Sequence, residues 1–395
     1  EITTRLVGSE MCIRDSYKIT PDCVGDTVTF SLSRPRNLSV EVNGDIFHNL
    51  HLFANPIDKF RPSDKEIQRA LKKKKGSNLI YFGPGVHNLP NDTLFVPSGT
   101  TVYIDGGARV YGNIFTEGAH DVNIFGRGEV HPDGRGAGVW VRRSKNVRID
   151  GIVVSQLPIG QCDSVELTNV KSISYYGWGD GMDVFSSSNV ILDGVFCRNS
   201  DDCAAVYAST QGFKGGSNNV LVKNATLWAD VAHPINIGGH GDPNGMDTVQ
   251  NVTFRNIDIL DQAEKQVDYQ GCLAINPGDN TLVRNITFEN IRIEDFRNGQ
   301  LVNFRISFNP KYCVSTGRGI QNVLVKDVTY NGSGENLSII AGYDENHKIS
   351  GIRFVNLVVN GRKITDDMPG KPKWYKTGDM AGIFVGEHVE NLSFE

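Results

Sequence analysis

A short phrase recurs along this chain and limits what the chain can fold into. It is close to Asn-Val-x-apolar-x-(Asn/Asp)-apolar, and each copy alternates apolar and polar positions as one β-strand does. The leading Asn suits a turn and can form a ladder of hydrogen bonds with the Asn of the next coil. The clearest copies begin at Asn146, Asn189, Asn219, Asn251, Asn285 and Asn322.

The spacing of these copies predicts a β-solenoid. The last five begin 30, 32, 34 and 37 residues apart, and a period of roughly 20 to 40 residues with one strand phrase per unit is typical of that architecture. No amphipathic pattern of about 10 to 15 residues follows position 76, which argues against an α/β fold. Intervals of 22 to 25 residues around Asp121 and Asn146 argue against a propeller. Length varies outside the phrase, so longer loops on one side would form a cleft.

The predicted fold class is all-β: a right-handed parallel β-helix over residues 77–395, preceded by a small β-sandwich-like module over 17–62. Alternating strands such as NLSVEV and DIFHNLHLFANP, joined by Asn43-Gly44, indicate a hairpin in that module. Ser63 and Glu66 form a capping-box pattern that predicts a helix over 63–76, which could cover the open end of the solenoid. Residues 1–16 resemble translated vector or assembly sequence and are set aside; the chain stops inside a repeat-like phrase, so we expect truncation.

Composition excludes several function classes. The net charge of −5 does not favour nucleic acid, and no apolar run reaches the length of a membrane span. The lysine run at 72–75 is interpreted as the solvated end of a helix. Seven cysteines without CxxC or Cys/His spacing support neither a disulfide framework nor a metal site. Cys197 and Cys203 could pair, but core filling is favoured.

Four carboxylates lie in two clusters about one coil apart. Asp180 and Asp183 form the first cluster, Asp201 and Asp202 the second, and Asp180 precedes Asp202 by 22 residues. On neighbouring coils they would be stacked about 4.8 Å apart, and their repulsion would raise one carboxyl pKa. Cleavage of a glycosidic bond needs such an acid together with a carboxylate that activates water. The alternative is that these residues cap turns or hold a structural calcium ion.

Three stretches resemble the polygalacturonase family of right-handed β-helix glycoside hydrolases. They are DGMD from Asp180, NSDDCAAVY, and AHPINIGGHGD, in the order of the family motifs. The resemblance extends over about residues 78–395. It implies that Asp201 is the general acid, that Asp180 and Asp202 hold the attacking water with inversion of configuration, and that His233 is the histidine of the catalytic site. The alternative for His233 is a structural role as a hydrogen-bonding residue.

Departures from that family bear on the substrate. Trp178-Gly179 replaces Asn-Thr, and Leu273-Ala274-Ile275-Asn276 stands where the family has the Arg-Ile-Lys that grips a uronate. Without this cation pair the sequence predicts a neutral sugar, unless Arg305 or Lys265 substitutes. The N-terminal module and the paired Asp are also similar to the dextranase/isopullulanase family. The predicted substrate-binding residues are Asp183, Trp178, Tyr207, Trp228, His240 and Arg305. Of these, Trp178, Tyr207 and Trp228 are expected to stack on sugar faces.

The sequence therefore predicts an inverting glycoside hydrolase that cleaves α-linked bonds of a polysaccharide of neutral sugars, as in dextran. A polygalacturonase-type pectin hydrolase and a noncatalytic carbohydrate-binding β-solenoid are the alternatives; a lyase is disfavoured because its base cannot be placed. No cofactor and no metal are expected. The expected partner is a polysaccharide or oligosaccharide, without nucleic acid or membrane, and the protein is expected to be a monomer. Its function implies a secreted or periplasmic location.

Overall fold

The computed structural model describes residues 4–7, 19, 21–24, 27–42, 45–72, 76–132, 134–333 and 335–395. From Leu79 onward the chain winds into a parallel β-helix in which successive coils stack three faces of strands in register. The predicted right-handed parallel β-helix is thereby confirmed. No described helix is both long and apolar enough to span a membrane.

The first sheet of the β-helix holds the repeated phrase. Its later strands are long and bend round a corner into the second sheet. Its strands are Leu79–Phe82, Thr101–Ile104, His120–Gly126, Lys145–Asp150, Asp163–Thr168, Ser188–Asp193, Ser217–Lys223, Thr248–Gln262, Leu282–Ile293, Gly319–Tyr330, Ile349–Val359 and Val389–Phe394.

Most strands of the second and third sheets are short, except that Gly85–Phe95 and Ala108–Glu117 are long and the latter continues into the third sheet, where it pairs with Val139–Arg142. Those of the second sheet are Gly85–Phe95, Ala108–Glu117, Glu129–His131, Val153–Val154, Lys171–Ile173, Phe196–Asn199 and Thr226–Ala229. Those of the third are Val139–Arg142, Ile159–Gly160, Met182–Phe185, Ala204–Tyr207, Ile235–Ile237, Leu273–Ile275, Val302–Arg305, Ser338–Ala341 and Ile383–Val385. Minor elements are the strands Gly299–Gln300, Glu335–Asn336 and Arg362–Ile364 and the 3-10 turns Val267–Tyr269 and Thr377–Met380.

The repeated phrase performs two structural tasks. Its leading Asn residues all adopt left-handed backbone, with φ between 55° and 57°, a conformation that Asn tolerates better than most residues. Asn219 donates to Asn189 at 2.7 Å, and Asn285 donates to Asn251 at 3.2 Å, which is the ladder that the sequence predicts. The apolar residue after each Asn points inward. One interior row, 0–1% exposed, comprises Val147, Val165, Val190, Val220, Val252, Ile286, Val323 and Ile352.

The helix predicted over 63–76 spans Asp64–Leu71. Ser63 and Glu66 form the expected capping box, in which the Ser63 N–H donates to the Glu66 carboxylate at 2.8 Å. Ile67 is the buried residue of this helix, which packs against Leu79–Phe82, the first strand of the solenoid. Most of the lysine run lies outside the described residues.

The N-terminal module contains a three-stranded antiparallel sheet and a separate strand pair. The sheet consists of Thr4–Val7, Arg36–Val42 and Asp45–Ala54, and the pair of Asp22–Val24 and Thr27–Thr29. Thr4–Val7 falls within the segment that we set aside from the sequence, whereas Asn43-Gly44 lies outside the described residues. Asp45–Ala54 packs along the second sheet of the β-helix, where the rings of His51 and Phe53 each lie 5.1 Å from that of Phe196.

The five described cysteine side chains are free thiols buried in the structure. Cys197 and Cys203 both belong to the apolar interior of the β-helix. Core filling is therefore the role that this structure gives them.

Candidate active site

The clustered carboxylates lie at the turns that lead from the second sheet into the third. Asp180 comes just before Met182–Phe185, Asp201 and Asp202 just before Ala204–Tyr207, and these two strands are paired in register. One oxygen from each of Asp180, Asp201 and Asp202 lies within 4.8 Å of the others. These three residues, called here the acidic trio, are thus brought together from neighbouring coils, with Asp201 and Asp202 at a strand-to-turn junction.

A glycine lets the two coils approach at this point. A Cβ atom on Gly181 would lie 2.2 Å from the carbonyl oxygen of Cys203, a distance that no side chain tolerates. The Gly181 N–H instead donates to the carbonyl of Asp202 at 2.7 Å. The Asp-Gly sequence therefore sets the spacing between Asp180 and the other two members of the trio.

Asp202 is the buried anion of the site. One carboxylate oxygen accepts from the backbone N–H and from Nδ1 of His233, at 3.1 and 2.7 Å, and the other from the hydroxyl of Tyr207 at 2.5 Å and Nδ2 of Asn236 at 2.8 Å. Burial alone would raise the pKa of Asp202. The charge and hydrogen bond of His233, with the bonds from Tyr207 and Asn236, outweigh burial and lower that pKa to about 2.

The pKa values of Asp201 and Asp180 are raised instead of lowered. Burial and the charge of Asp202 raise the pKa of Asp201 to about 7. Burial, with the charges of Asp201 and Asp202, raises the pKa of Asp180 well above its ordinary value. Because three carboxylates this close cannot all be ionised, the trio holds a proton at neutral pH next to a fixed anion.

Asp183 lies beneath the trio, on the strand Met182–Phe185. It is 4% exposed, and burial and the neighbouring acids raise its pKa well above the ordinary value. Among the described residues its buried Oδ1 has no hydrogen-bond partner, and neither has Nε2 of His233. Both residues line the cleft.

The cleft over the trio has a volume of about 380 Å³ and is acidic. None of the described residues that line it is Lys or Arg. Ala274 pairs in register with Asn236, and Asn276 lines the cleft two residues later. Ala274 and Asn276 therefore occupy the cleft side of the stretch that stands where the polygalacturonase family has Arg-Ile-Lys. The lining carboxylates are Asp180, Asp183, Asp201, Asp202, Glu264 and Asp268.

Two of the predicted substrate-binding residues, Trp228 and Arg305, do not line the cleft, and a third, Tyr207, lines it in another role than predicted. Trp228 belongs to the second sheet, is 1% exposed and lies under the guanidinium of Arg198 at 4.1 Å, away from the cleft. Tyr207 lines the cleft, but its ring stacks on Phe185 at 5.9 Å and its hydroxyl is bound to Asp202, so its position supports the trio. The side chain of Arg305 is held by Asp268 and is not among the lining residues.

Two other predicted residues do reach the cleft. Trp178 is 63% exposed at its mouth. His240 lies against the edge of Tyr207, with ring centres 5.0 Å apart, and burial lowers its pKa, which keeps the imidazole neutral at neutral pH.

The sequence did not single out Asn236, Glu264 and Tyr312, which also line the cleft. Asn236 could have been found from the strand Ile235–Ile237, because Ile235 and Ile237 point into the core and the alternation of a strand points the residue between them the other way. Glu264 and Tyr312 lie in turns of variable length, where no repeated pattern marks them.

Comparison with known proteins identifies the family of this chain. The Glycosyl hydrolases family 28 matches residues 139–368, more than half of the 395-residue chain. A polygalacturonase of Juniperus ashei is 26% identical over 295 residues, covering 66% of this chain and 54% of that protein. An exopolygalacturonase of Cochliobolus carbonum is 24% identical over 246 residues, covering 53% and 52%. The chain thus spans about half the length of these curated relatives.

Solved structures show the same fold at low sequence identity. The family 28 exopolygalacturonase of Yersinia enterocolitica has a TM-score of 0.57 at 13% identity, covering 92% of this chain and 85% of its own. Dex49A from Penicillium minioluteum has a TM-score of 0.58 at 14% identity, covering 99% and 78%. From the family match across residues 139–368, which contains the whole acidic trio, we conclude that the chain belongs to glycosyl hydrolases family 28.

Proposed function

We propose that this protein hydrolyses α-glycosidic bonds of a polysaccharide with inversion of configuration. The observation that carries the proposal is the acidic trio, whose carboxylates from neighbouring coils lie within 4.8 Å of one another. Within it, hydrogen bonds hold Asp202 as an anion and lower its pKa, whereas burial raises the pKa of the adjacent Asp201. Pairs of acids whose environments separate their pKa values are the usual basis of acid–base catalysis. A noncatalytic sugar-binding solenoid has no need of such a pair.

The proposed reaction transfers two protons, one from Asp201 to the leaving oxygen and one from the attacking water to a carboxylate. Asp201 donates its proton to the glycosidic oxygen as the bond from this oxygen to the anomeric carbon breaks. Water held by Asp180 and Asp202 attacks the anomeric carbon from the opposite face. Its proton passes to one of these two carboxylates, which must be ionised in the reacting form. Since both oxygens of Asp202 already accept two hydrogen bonds, Asp180, which is less buried, has the freer lone pairs for the water.

The stereochemical outcome rests on family resemblance and needs its own measurement. Carboxyl groups about 5 Å apart are common in retaining enzymes, and those of inverting enzymes are usually farther apart. The trio lies within the shorter range. NMR of the first product to form distinguishes the two outcomes: we expect the anomer opposite to that of the substrate, and the same anomer would contradict inversion.

The acidic lining supports a neutral sugar at the cleaved bond. A uronate carboxylate would enter a cleft lined by six carboxylic acids and by no described Lys or Arg, where like charges repel. Arg305, a possible cation from a neighbouring coil, is already paired with Asp268. We therefore propose an α-linked polysaccharide of neutral sugars as the substrate.

A polygalacturonan substrate is the second candidate, because curated relatives are named polygalacturonases. One described cation at the edge of the cleft favours it. The ammonium of Lys311 lies 4.8 Å from the ring centre of Tyr312 and 5.4 Å from that of Tyr269, both of which line the cleft. A substrate carboxylate at the outer edge of the cleft would reach this ammonium.

A screen of reducing-sugar release tests the proposed function. Dextran, pullulan, a neutral galactan and polygalacturonate are compared with wild type, Asp201→Asn and Lys311→Ala proteins, with and without a chelator. Release from a neutral polymer, absent with Asp201→Asn and insensitive to Lys311→Ala and chelation, is the expected result. Release from polygalacturonate alone, lost in Lys311→Ala, would replace the neutral substrate by the second candidate. Loss of activity on chelation would contradict the metal-free mechanism and favour a cation held by the trio.

A polysaccharide substrate implies that the protein works outside the cytoplasm, and we propose a secreted or periplasmic monomer. Fractionation of cells that produce the natural protein, followed by light scattering, tests both statements. Recovery from the cytoplasm, or a mass above that of one chain, would contradict them.

A further inference from the structure

One loop crosses the cleft above the acidic trio. It comprises residues 306–318, called here the crossing loop, and leads from Val302–Arg305 in the third sheet to Gly319–Tyr330 in the first. It therefore starts at the edge of the third sheet opposite to the turns that hold the trio. A loop that stayed on its own edge would leave the cleft an open groove.

The base of the crossing loop is fixed to its own edge of the sheet. The Asp279 carboxylate accepts from the backbone N–H groups of Val314 and Ser315 at 2.7 and 3.2 Å. The Asn280 N–H donates to the carbonyl of Thr316 at 2.8 Å. Cys313 is buried, with Sγ 3.4 Å from the carbonyl oxygen of Gly239. These contacts give the base a defined position.

The tip of the loop touches the opposite edge at two places. Nδ2 of Asn309 donates to the hydroxyl of Tyr269 at 2.8 Å. The ring of Tyr312 lies edge-on to that of Trp178, with centres 6.1 Å apart, and also contacts Tyr269 at 5.5 Å. Tyr269 and Trp178 both lie in turns from the second sheet into the third, so these contacts close the gap between the two edges.

The crossing loop also reaches back along the axis of the β-helix. The strand before it, Val302–Arg305, is four pairing steps from Met182–Phe185, the strand that follows Trp178 and Asp180. At about 4.8 Å per step this is roughly 19 Å. Tyr312 therefore returns over the coils of His233 and Asp201 and meets the coil of Asp180. His240, in the intervening coil, contacts Tyr312 at 6.4 Å.

We propose that the crossing loop makes this site a pocket entered by the end of a polysaccharide chain, so that the enzyme releases short products from chain ends. This inference rests on the proposed function. A chain that lies along the axis of the β-helix would collide with the loop between Trp178 and Tyr312, whereas a chain end fits beneath it. Binding sites that enclose a ligand are concave and walled by such aromatic side chains.

Product size and solution viscosity test this proposal on dextran and on polygalacturonate. For wild type we expect mono- or disaccharides from the earliest samples, with little loss of viscosity per reducing end. The double variant Asn309→Ala/Tyr312→Ala, which removes both contacts across the cleft, should release a range of longer oligosaccharides and increase the viscosity loss per reducing end several-fold. Tyr175→Ala is the matched control, because Tyr175 is an exposed aromatic in the same turn as Trp178 and is not a lining residue; it should leave the products unchanged.

The possible results separate the two proposals. Mixed long oligosaccharides from wild type at early times would overturn end-wise action and leave the proposed function in place. The same short products from wild type and from a folded double variant would show that the crossing loop does not set the mode of action. No release from any polymer would overturn the proposed function and this inference with it. A circular dichroism melt establishes that the variants fold.

Discussion

Two acidic regions lie on neighbouring coils of this β-helix and differ in what surrounds their carboxylates. On the second sheet Asp230 and Asp261 face arginines: Arg198 approaches Asp230 at 2.9 Å, and Arg297 contacts both acids at 2.6 and 2.5 Å. In the cleft on the third sheet the acidic trio faces no described Lys or Arg lining residue. The same residue type is thus paired with arginine where it supports the fold and has no arginine partner among the described residues where we propose chemistry.

This contrast has an energetic basis. A buried acid that lacks a cation raises its own pKa and opposes folding when ionised. Such an arrangement persists where function needs a protonated acid at neutral pH. The comparison therefore makes opposite predictions for the two regions: substitution in the cleft should affect turnover more than stability, and substitution on the second sheet the reverse.

The largest effect is expected from Asp201→Asn. The amide cannot donate the proton that the leaving oxygen needs, so turnover should fall by about 10²- to 10⁴-fold, the usual contribution of a general acid. The melting temperature should stay level or rise, because burial and the charge of Asp202 oppose ionisation of Asp201. Initial rates and a thermal melt measure both. Activity within about twofold of wild type would exclude Asp201 as the general acid.

A pH profile should show the next largest effect. Activity should fall as pH rises through about 7, where Asp201 loses its proton, and at low pH, where Asp202 with a pKa of about 2 gains one. Because the folded pKa of Asp201 lies above its ordinary value of 3.8, the stability that its protonated form contributes decreases as pH rises from about 4 to 7. Asp202 adds stability above its ordinary pKa of 3.8, and this is lost as pH falls towards 2.

The matched variant for this profile is Asp201→Asn. It should remove the decrease in stability between about pH 4 and pH 7 while keeping the loss at lower pH. Melts recorded across this range decide the point. A profile with no basic limb near neutrality in the wild type would contradict the assignment of the acid.

Tyr207→Phe should have a smaller effect that acts through Asp202. Loss of the hydroxyl removes one of the hydrogen bonds that hold the Asp202 anion, each worth about 1.5 to 3 kcal/mol when the acceptor is charged. The pKa of Asp202 should rise, so the acidic limb of the activity profile should move to higher pH by about one to two units. Tyr103→Phe is the control, because the Tyr103 hydroxyl donates to Asp58 at 2.6 Å far from the cleft. It should leave the profile unchanged, and an equal shift in both variants would refute a positioning role for Tyr207.

The smallest effect on catalysis is expected from Asp261→Asn on the second sheet. Asp261 is 4% exposed and pairs with Arg297. Loss of its hydrogen bonds with Arg297 should lower the free energy of unfolding by about 1 to 2 kcal/mol. The effect stays small because burial raises the pKa of Asp261 in spite of Arg297, and because Arg297 is partly exposed and can be rehydrated. Turnover per folded molecule should stay near that of wild type. A large loss of turnover at unchanged stability would remove the contrast between the two acidic regions.

The fold and the centre of the site were accessible from sequence because both depend on regular spacing. The repeated Asn-Val phrase specifies one strand per coil, and a coil of about the length from Asp180 to Asp202 stacks the two acidic clusters. The motifs that resemble family 28 follow these same coils, so the acidic trio and His233 were found together.

The errors arise where a side chain finds its partner on another element. The alternation of a strand shows that Trp228 and Tyr207 differ from their neighbours in direction, but not which of three sheets they belong to or what covers them. Trp228 is covered by Arg198 and the N-terminal module, and Tyr207 is bound to Asp202. Tyr312 lies in a turn of irregular length, and only folding brings it to Trp178.

The N-terminal hairpin has a mechanical consequence for the stack of coils. The carbonyl of Pro56 accepts from Arg127, Asn55 binds Lys171, Asn49 accepts from Arg198, and Phe47 lies 5.1 Å from the guanidinium of Arg297. The segment thereby runs beside the axis of the β-helix and contacts both early and late coils. A solenoid without such a tie can fray one repeat at a time. Unfolding of a central coil would also break the contacts of the hairpin with the neighbouring coils. The hairpin therefore couples the repeats into one cooperative unit.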